Sequence, residues 1–137
     1  MVEHRGRTPA ETLARFRAVI PNTVGPSRHH AAWLGEVVVH GQDIRRPLGL
    51  ARTPSLEAVS EVARFYTSRD FAVPSRSAFE GLRLEATDGP FRAGTGPVVS
   101  GTTLALTMAI AGRPVYCDDL TGPGVATLRE PVSTQST

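Results

Sequence analysis

The spacing of apolar residues changes from a helical to a strand-like period near residue 75. Leu13, Phe16 and Ile20 recur at intervals of three and four residues, as they do on one face of a helix. Over residues 82–87 apolar and polar residues alternate instead, which is typical of a half-buried strand. The change predicts an α+β fold in which helices come first and a small α/β unit follows.

Three helices are predicted in the first part of the chain. The first begins at Thr8-Pro9-Ala10-Glu11, where Thr8 can cap the helix and Glu11 completes a capping box. The second begins after Ser27 and ends near Arg46, and it is apolar on most sides, so we expect it to lie between neighbouring elements. The third begins at Thr53-Pro54 and ends near Arg69, and a linker is predicted from Asp70 to Ser77.

The second part of the chain predicts short strands and short helices. Strands are expected at residues 82–87, 91–93 and 98–99, separated by turns that contain glycine. A helix capped by Thr102 or Thr103 should end at Gly112, and a last helical segment should cover Val125 to Arg129.

The composition excludes several classes of protein. All 15 basic residues are arginine, which indicates a high-GC genome such as an actinobacterial one, and they are spread among acids so that the net charge is only +2. Because no basic stripe forms, nucleic acid is not an expected partner. No apolar run is long enough to cross a membrane, and the first 20 residues lack a secretory signal. With a single cysteine, Cys117, the chain is expected to be cytoplasmic.

Glu36 and His40 are the best candidates for metal ligands. Residues four apart lie on one face of a helix, so a carboxylate oxygen and an imidazole nitrogen can reach the same ion. Asp43 lies three residues further on and could orient the imidazole or bind the metal directly. The alternative is a solvated or mutually hydrogen-bonded pair, which is the more frequent meaning of this spacing. A catalytic zinc normally has three protein ligands, so the pair alone is incomplete.

The other histidines are weaker candidates. His29 lies seven residues before Glu36, roughly 10 Å along a helix, so it cannot share a metal with Glu36 and His40. His29 and His30 are better explained as polar residues at a helix start. His4, near the chain's first residue, is a weak candidate for a third ligand.

Two segments resemble one known family. Residues 35–49, Gly-Glu-Val-Val-Val-His-Gly-Gln-Asp-Ile-Arg-Arg-Pro-Leu-Gly, resemble the signature of the mycothiol-dependent maleylpyruvate isomerase family. The helix over 104–113 and the segment over 119–125 resemble the end of that family's second domain. The resemblance implies a partial DinB-like metal-binding helical bundle over residues 1–72, followed by a C-terminal α/β domain over residues 78–130.

The resemblance also implies a metal- and thiol-dependent activity. In the family a divalent metal, usually zinc, is held by a histidine of an early helix and by the Glu and His that match Glu36 and His40. Mycothiol is the cofactor, and the small-molecule substrate of the prototype is maleylpyruvate. An arginine of the second domain is linked to activity, and Arg113 is the matching position, where it could clamp a substrate carboxylate. The alternative for Arg113 is a cation that stabilises a helix C-terminus.

The sequence departs from the family pattern at its start. The helix that carries the first metal ligand has no counterpart before Met1, so the resemblance implies an N-terminally truncated member. A half bundle would expose the apolar faces of its helices, which favours association. We therefore also expect a homodimer that completes the bundle. The alternative to an isomerase or S-transferase is a non-catalytic family member that acts as a binding or dimerisation module.

Overall fold

A computed structural model of the chain describes residues 6–25 and 28–130. Within them the fold is α+β, as predicted from the change of period. Its α-helices are α1 (Pro9–Val19), α2 (His30–Arg45), α3 (Leu56–Ser68), α4 (Ser75–Ala78), α5 (Thr103–Ile110) and α6 (Val125–Arg129). Its strands are β1 (Arg83–Ala86), β2 (Arg92–Gly94) and β3 (Val98–Gly101), and a 3₁₀ segment covers Pro114–Asp119.

The helix starts follow the capping residues of the sequence. The Thr8 hydroxyl accepts a hydrogen bond from Glu11 N at 3.1 Å, and the Thr102 hydroxyl accepts one from Ala105 N at 3.1 Å. The predicted start of α3 at Thr53-Pro54 was wrong. The cap is Ser55, whose hydroxyl accepts from Ala58 N at 3.2 Å. A serine with extended backbone satisfies the free amides of a first turn as well as threonine does, and Pro54 precedes the helix.

The three strands form one mixed sheet in the order β2-β1-β3. β1 is antiparallel to β2, with Leu84 opposite Ala93, and parallel to β3, with Leu84 opposite Val99. Leu84 and Val99 are fully buried. Strands β1 and β3 therefore both contribute side chains to the core.

Helix α5 lies at the centre of the core and contacts α3, β1 and β3. It is buried on all sides, and its Leu106, Met108 and Ile110 side chains are at most 1% exposed. The buried cluster also contains Val62 of α3 and Leu84 of β1, so one hydrophobic core runs through both parts of the chain. The division into two domains stays a prediction.

Three features differ from the sequence-based expectations. The linker predicted over Asp70–Ser77 contains the start of α4, held by a hydrogen bond from Ser75 Oγ to Tyr66 O at 2.8 Å. The 3₁₀ segment was not predicted. Helix α2 does not lie between neighbours on all sides, because Val37 is 70% exposed. Among the described residues, no helix is long and apolar enough to span a membrane.

Candidate metal site

Glu36 and His40 face each other on α2. Glu36 Oε2 lies 3.0 Å from His40 Nε2, which is the contact that their spacing of four residues predicts. The helix is continuous from His30 to Arg45, so the two side chains share one face without any local distortion. The pair is therefore preformed by local structure alone.

The pair is exposed, in contrast to the burial expected from its apolar neighbours. The side chains of Glu36 and His40 are 46% and 62% accessible. The reason is the orientation of α2. The side of the helix that carries Val38, Val39 and Gln42 faces the core, and the opposite side is uncovered. The two donor atoms are consequently open to an ion or to a second molecule.

Asp43 completes a chain of polar contacts along α2. Its Oδ2 lies 3.3 Å from His40 Nδ1, so both nitrogens of the imidazole ring lie beside a carboxylate oxygen. If Nδ1–H donates to Asp43, the lone pair of Nε2 is directed towards Glu36 and towards any ion bound there. This is the arrangement in which a carboxylate orients a metal-binding histidine.

Arg113 reaches the same cluster from the second part of the chain. Its Nε and NH2 donate to the two Asp43 oxygens at 3.1 and 2.8 Å, and its NH1 donates to Ala111 O at 2.7 Å. Gly112, with a φ of +84°, turns the chain after α5, and Arg113 N then donates to Met108 O at 3.1 Å. The structure thus joins all three predicted site residues, Glu36, His40 and Arg113, through Asp43.

The ion pair sets the charge state of Asp43. The hydrogen bonds from Arg113 hold the pKa of the Asp43 carboxyl below its ordinary value, against the opposing effect of partial burial. The same hydrogen bonds raise the pKa of the Arg113 guanidinium. Asp43 therefore stays an acceptor for the imidazole at neutral pH.

Tyr66 is a member of this cluster that sequence reasoning missed. Its ring is buried, and its hydroxyl packs so closely under α2 that a Cβ added at Gly35 would lie 2.7 Å from Oη. Burial raises the pKa of the Tyr66 phenol, and the negative charge of Glu36 raises it further. The available signal was Gly35 itself, since a glycine inside a helix is unfavourable unless another group approaches closely.

The described residues do not contain a complete metal site. No group of three or more His, Cys, Asp or Glu side chains in residues 6–25 and 28–130 could hold an ion. His30 begins α2 and His29 precedes it, in agreement with their interpretation as residues of a helix start. His4 lies outside the described residues.

The geometry of the existing pair is compatible with two ligands of one ion. Donors about 2.0–2.1 Å from a tetrahedral zinc are separated by about 3.3 Å. The 3.0 Å between Glu36 Oε2 and His40 Nε2 requires a shift of only a few tenths of an ångström, which exposed side chains can make.

No known protein family, curated protein or solved structure matches this chain significantly.

Proposed function

We propose that the chain binds a divalent metal, most suitably zinc, through Glu36 and His40 and that this site serves a thiol-dependent isomerase or S-transferase. The observation that supports the proposal is the contact of 3.0 Å between Oε2 and Nε2 on an open helix face, with Asp43 behind the imidazole. The resemblance of residues 35–49 to the maleylpyruvate isomerase signature supports the same function and names mycothiol as the thiol.

Bound at this position, the metal would lower the pKa of a coordinated thiol and so supply a thiolate nucleophile at neutral pH. The chain's own residues have simpler tasks. Glu36 and His40 would hold the ion, and Asp43 would keep the imidazole in the tautomer that can bind it. Burial raises the pKa of the Tyr66 phenol further above neutral pH, and its hydroxyl lies against α2 at Gly35, where it is available as a hydrogen-bond donor.

Arg113 favours a small carboxylate as the substrate. A guanidinium has five N–H donors, and three of them are engaged by Asp43 and by Ala111 O. The remaining two can donate to a substrate carboxylate without breaking the Asp43 contact. Arg113 is therefore proposed both as a positioning residue for Asp43 and as a carboxylate-binding residue.

Metal analysis and calorimetric titration of the purified chain with zinc test the proposal. The wild type should bind zinc, and Glu36→Gln and His40→Gln should each weaken binding by at least tenfold, because each removes one donor of a small set. His30→Gln is the matched control, since it removes an imidazole from the same helix outside the cluster. Zinc binding that is absent in the wild type, or unchanged in both variants, would refute the metal site.

A second candidate function is that of a non-catalytic dimerisation or binding module. It is favoured by the exposed apolar side chains of α1 and α2, since no residue of α1 is buried and Phe16 is 63% accessible. Such surfaces mark interaction sites when they are contiguous. Light scattering after size-exclusion chromatography tests it, and a monomer at all accessible concentrations would refute self-association.

A further inference from the structure

An apolar stripe runs along the exposed side of α2. We call it the α2 stripe, and it consists of Trp33, Val37, His40, Ile44 and Leu48, the last in the turn that follows the helix. Steps of three and four residues place these side chains on one face. Val37 and Ile44 are 70% and 62% exposed, so the stripe faces away from the core. His40 is the only polar member and lies at its middle.

The α2 stripe is symmetric about its centre. Val37 and Ile44 lie three and four residues from His40, and Trp33 and Leu48 lie seven and eight residues from it. A twofold axis between positions 40 and 41 would place Val37 opposite Ile44 of a second copy and Trp33 opposite Leu48. An interface formed by one patch with itself must have this kind of self-complementarity. The stripe therefore fits a second, antiparallel copy of α2.

The exposed area of the α2 stripe is that of a small interface. With about 150–260 Å² for each fully exposed side chain, its four apolar members offer about 450 Å² per copy, which is less than one partner contributes to an interface of standard size. A dimer formed through the stripe would therefore depend on a shared ion for part of its stability.

The twofold axis would also bring the two His40 side chains together, each with the Glu36 of its own copy beside it. With a rise of about 1.5 Å per residue, the two His40 Cα atoms would lie only about 1.5 Å apart along the helix axes. The axis places the same flank of both helices side by side, so the Glu36 carboxylates of both copies share one side of the interface. Asp43 forms an ion pair with Arg113, whereas Glu36 contacts the His40 imidazole. This arrangement favours a divalent cation at the interface.

We propose that two copies of this chain pair through the α2 stripe and share one metal ion, held by His40 of both copies and by Glu36 of at least one. The inference rests on the proposed metal site and states where its third protein donor comes from. It differs from a site completed within one chain in its stoichiometry, which is one ion per two chains.

The experiment combines sedimentation velocity with zinc-to-chain ratios measured by elemental analysis, on the full chain with and without a chelator. The expected result is a dimer with one zinc per two chains, whose dissociation constant rises at least tenfold when zinc is removed. A monomer that binds one zinc per chain would overturn the shared site but leave the proposed function standing. A dimer that binds no zinc would overturn both the shared site and the metal site.

Variants separate the interface from the metal. Val37→Asp with Ile44→Asp introduces acids that face each other across the twofold axis, so the dimer should be lost and zinc affinity should fall at least tenfold. Val24→Asp is the matched control, because Val24 is exposed in the connection between α1 and α2. His40→Gln should remove zinc from both copies. If the stripe variant stays dimeric with unchanged zinc content while circular dichroism shows native helicity, the proposal is wrong.

Discussion

The contact between Gly35 and Tyr66 offers a sharp test of how α2 is held against the core. In Gly35→Ala the new methyl group would lie 2.7 Å from Tyr66 Oη, 3.1 Å from Cζ and 3.2 Å from Cε1. Tyr66 is 95% buried, since it is only 5% exposed, so the ring has little freedom to retreat. The methyl group must therefore push α2 and α3 apart at this point.

The change in the free energy of unfolding of Gly35→Ala is the difference between two opposing effects. Overpacking in a well-packed core costs about 1–3 kcal/mol. Replacing glycine by alanine inside a helix returns about 0.5–1 kcal/mol. We therefore expect Gly35→Ala to lower the free energy of unfolding by about 1–2 kcal/mol and the melting temperature by about 4–8 °C.

Gly41→Ala is the matched control on the same helix. Its new methyl group would lie 2.8 Å from Arg45 NH1, the end of a flexible side chain that can move into solvent. This variant should gain about 0.5–1 kcal/mol from helix propensity alone. Urea unfolding followed by circular dichroism, with a chelator present and at one chain concentration, measures both effects.

A double-mutant cycle identifies the clashing atom. Tyr66→Phe removes Oη, which is the nearest atom, so the cost of Gly35→Ala should fall by about 1 kcal/mol in that background. If Gly35→Ala is as stable as Gly41→Ala, or if the cycle shows no coupling, Tyr66 does not pack under α2 as described.

Three further predictions follow from single contacts. Asp88→Ala should lower stability by about 1–2 kcal/mol in urea unfolding, because Asp88 Oδ1 accepts from both Thr103 N and Thr103 Oγ1, and Asp88→Asn, which keeps an acceptor, should lose less. The Asp43 carboxyl has a pKa below its ordinary value of 3.8, so its ion pair stabilises the fold above about pH 4, and this stability is lost as the pH falls through the lowered pKa. Arg113→Ala should therefore lose less stability than the wild type below about pH 4. Equal slopes of unfolding free energy against pH in the two proteins would contradict this. Burial raises the pKa of the Cys117 thiol, so a disulfide reagent at pH 8 should label it only as fast as the chain opens, and rapid labelling of the native chain would show that Cys117 is accessible.

Features that depend on neighbours in the sequence could be predicted well. The caps at Thr8 and Thr102 and the alternation around Leu84 are local, and the structure places α1, α5 and β1 close to the expected positions. The contact between Glu36 and His40 belongs to this class, because one turn of a helix determines it. The 3₁₀ segment at Pro114–Asp119 has no comparable local signature, and its fold depends on packing against α5.

Features that depend on distant contacts could not be predicted from residues alone. The apolar composition of α2 indicates burial on most sides, but the sequence does not show which neighbours are present to cover it. Val38 and Val39 are buried, whereas Val37, directly before them in the sequence, is exposed. The sequence predicts Tyr66 as an ordinary core residue of α3, and its hydroxyl lies against Gly35 only because α2 and α3 pack there.

Asp43 contacts both the His40 imidazole on α2 and the Arg113 guanidinium in the second part of the chain. Arg113 is fixed to the end of α5, the most buried helix, through Arg113 N and Met108 O, and its guanidinium holds both Asp43 oxygens. Arg46, one turn further along α2, makes a second contact with the rest of the fold, since it forms an ion pair with Asp119 and its guanidinium lies 4.2 Å from the centre of the Tyr116 ring. Two such contacts a turn apart restrict both the rotation and the sliding of α2 relative to the core. Because His40 lies in the same turn of α2, these contacts also restrict the orientation of its exposed side chain, as the proposed metal ligand would require.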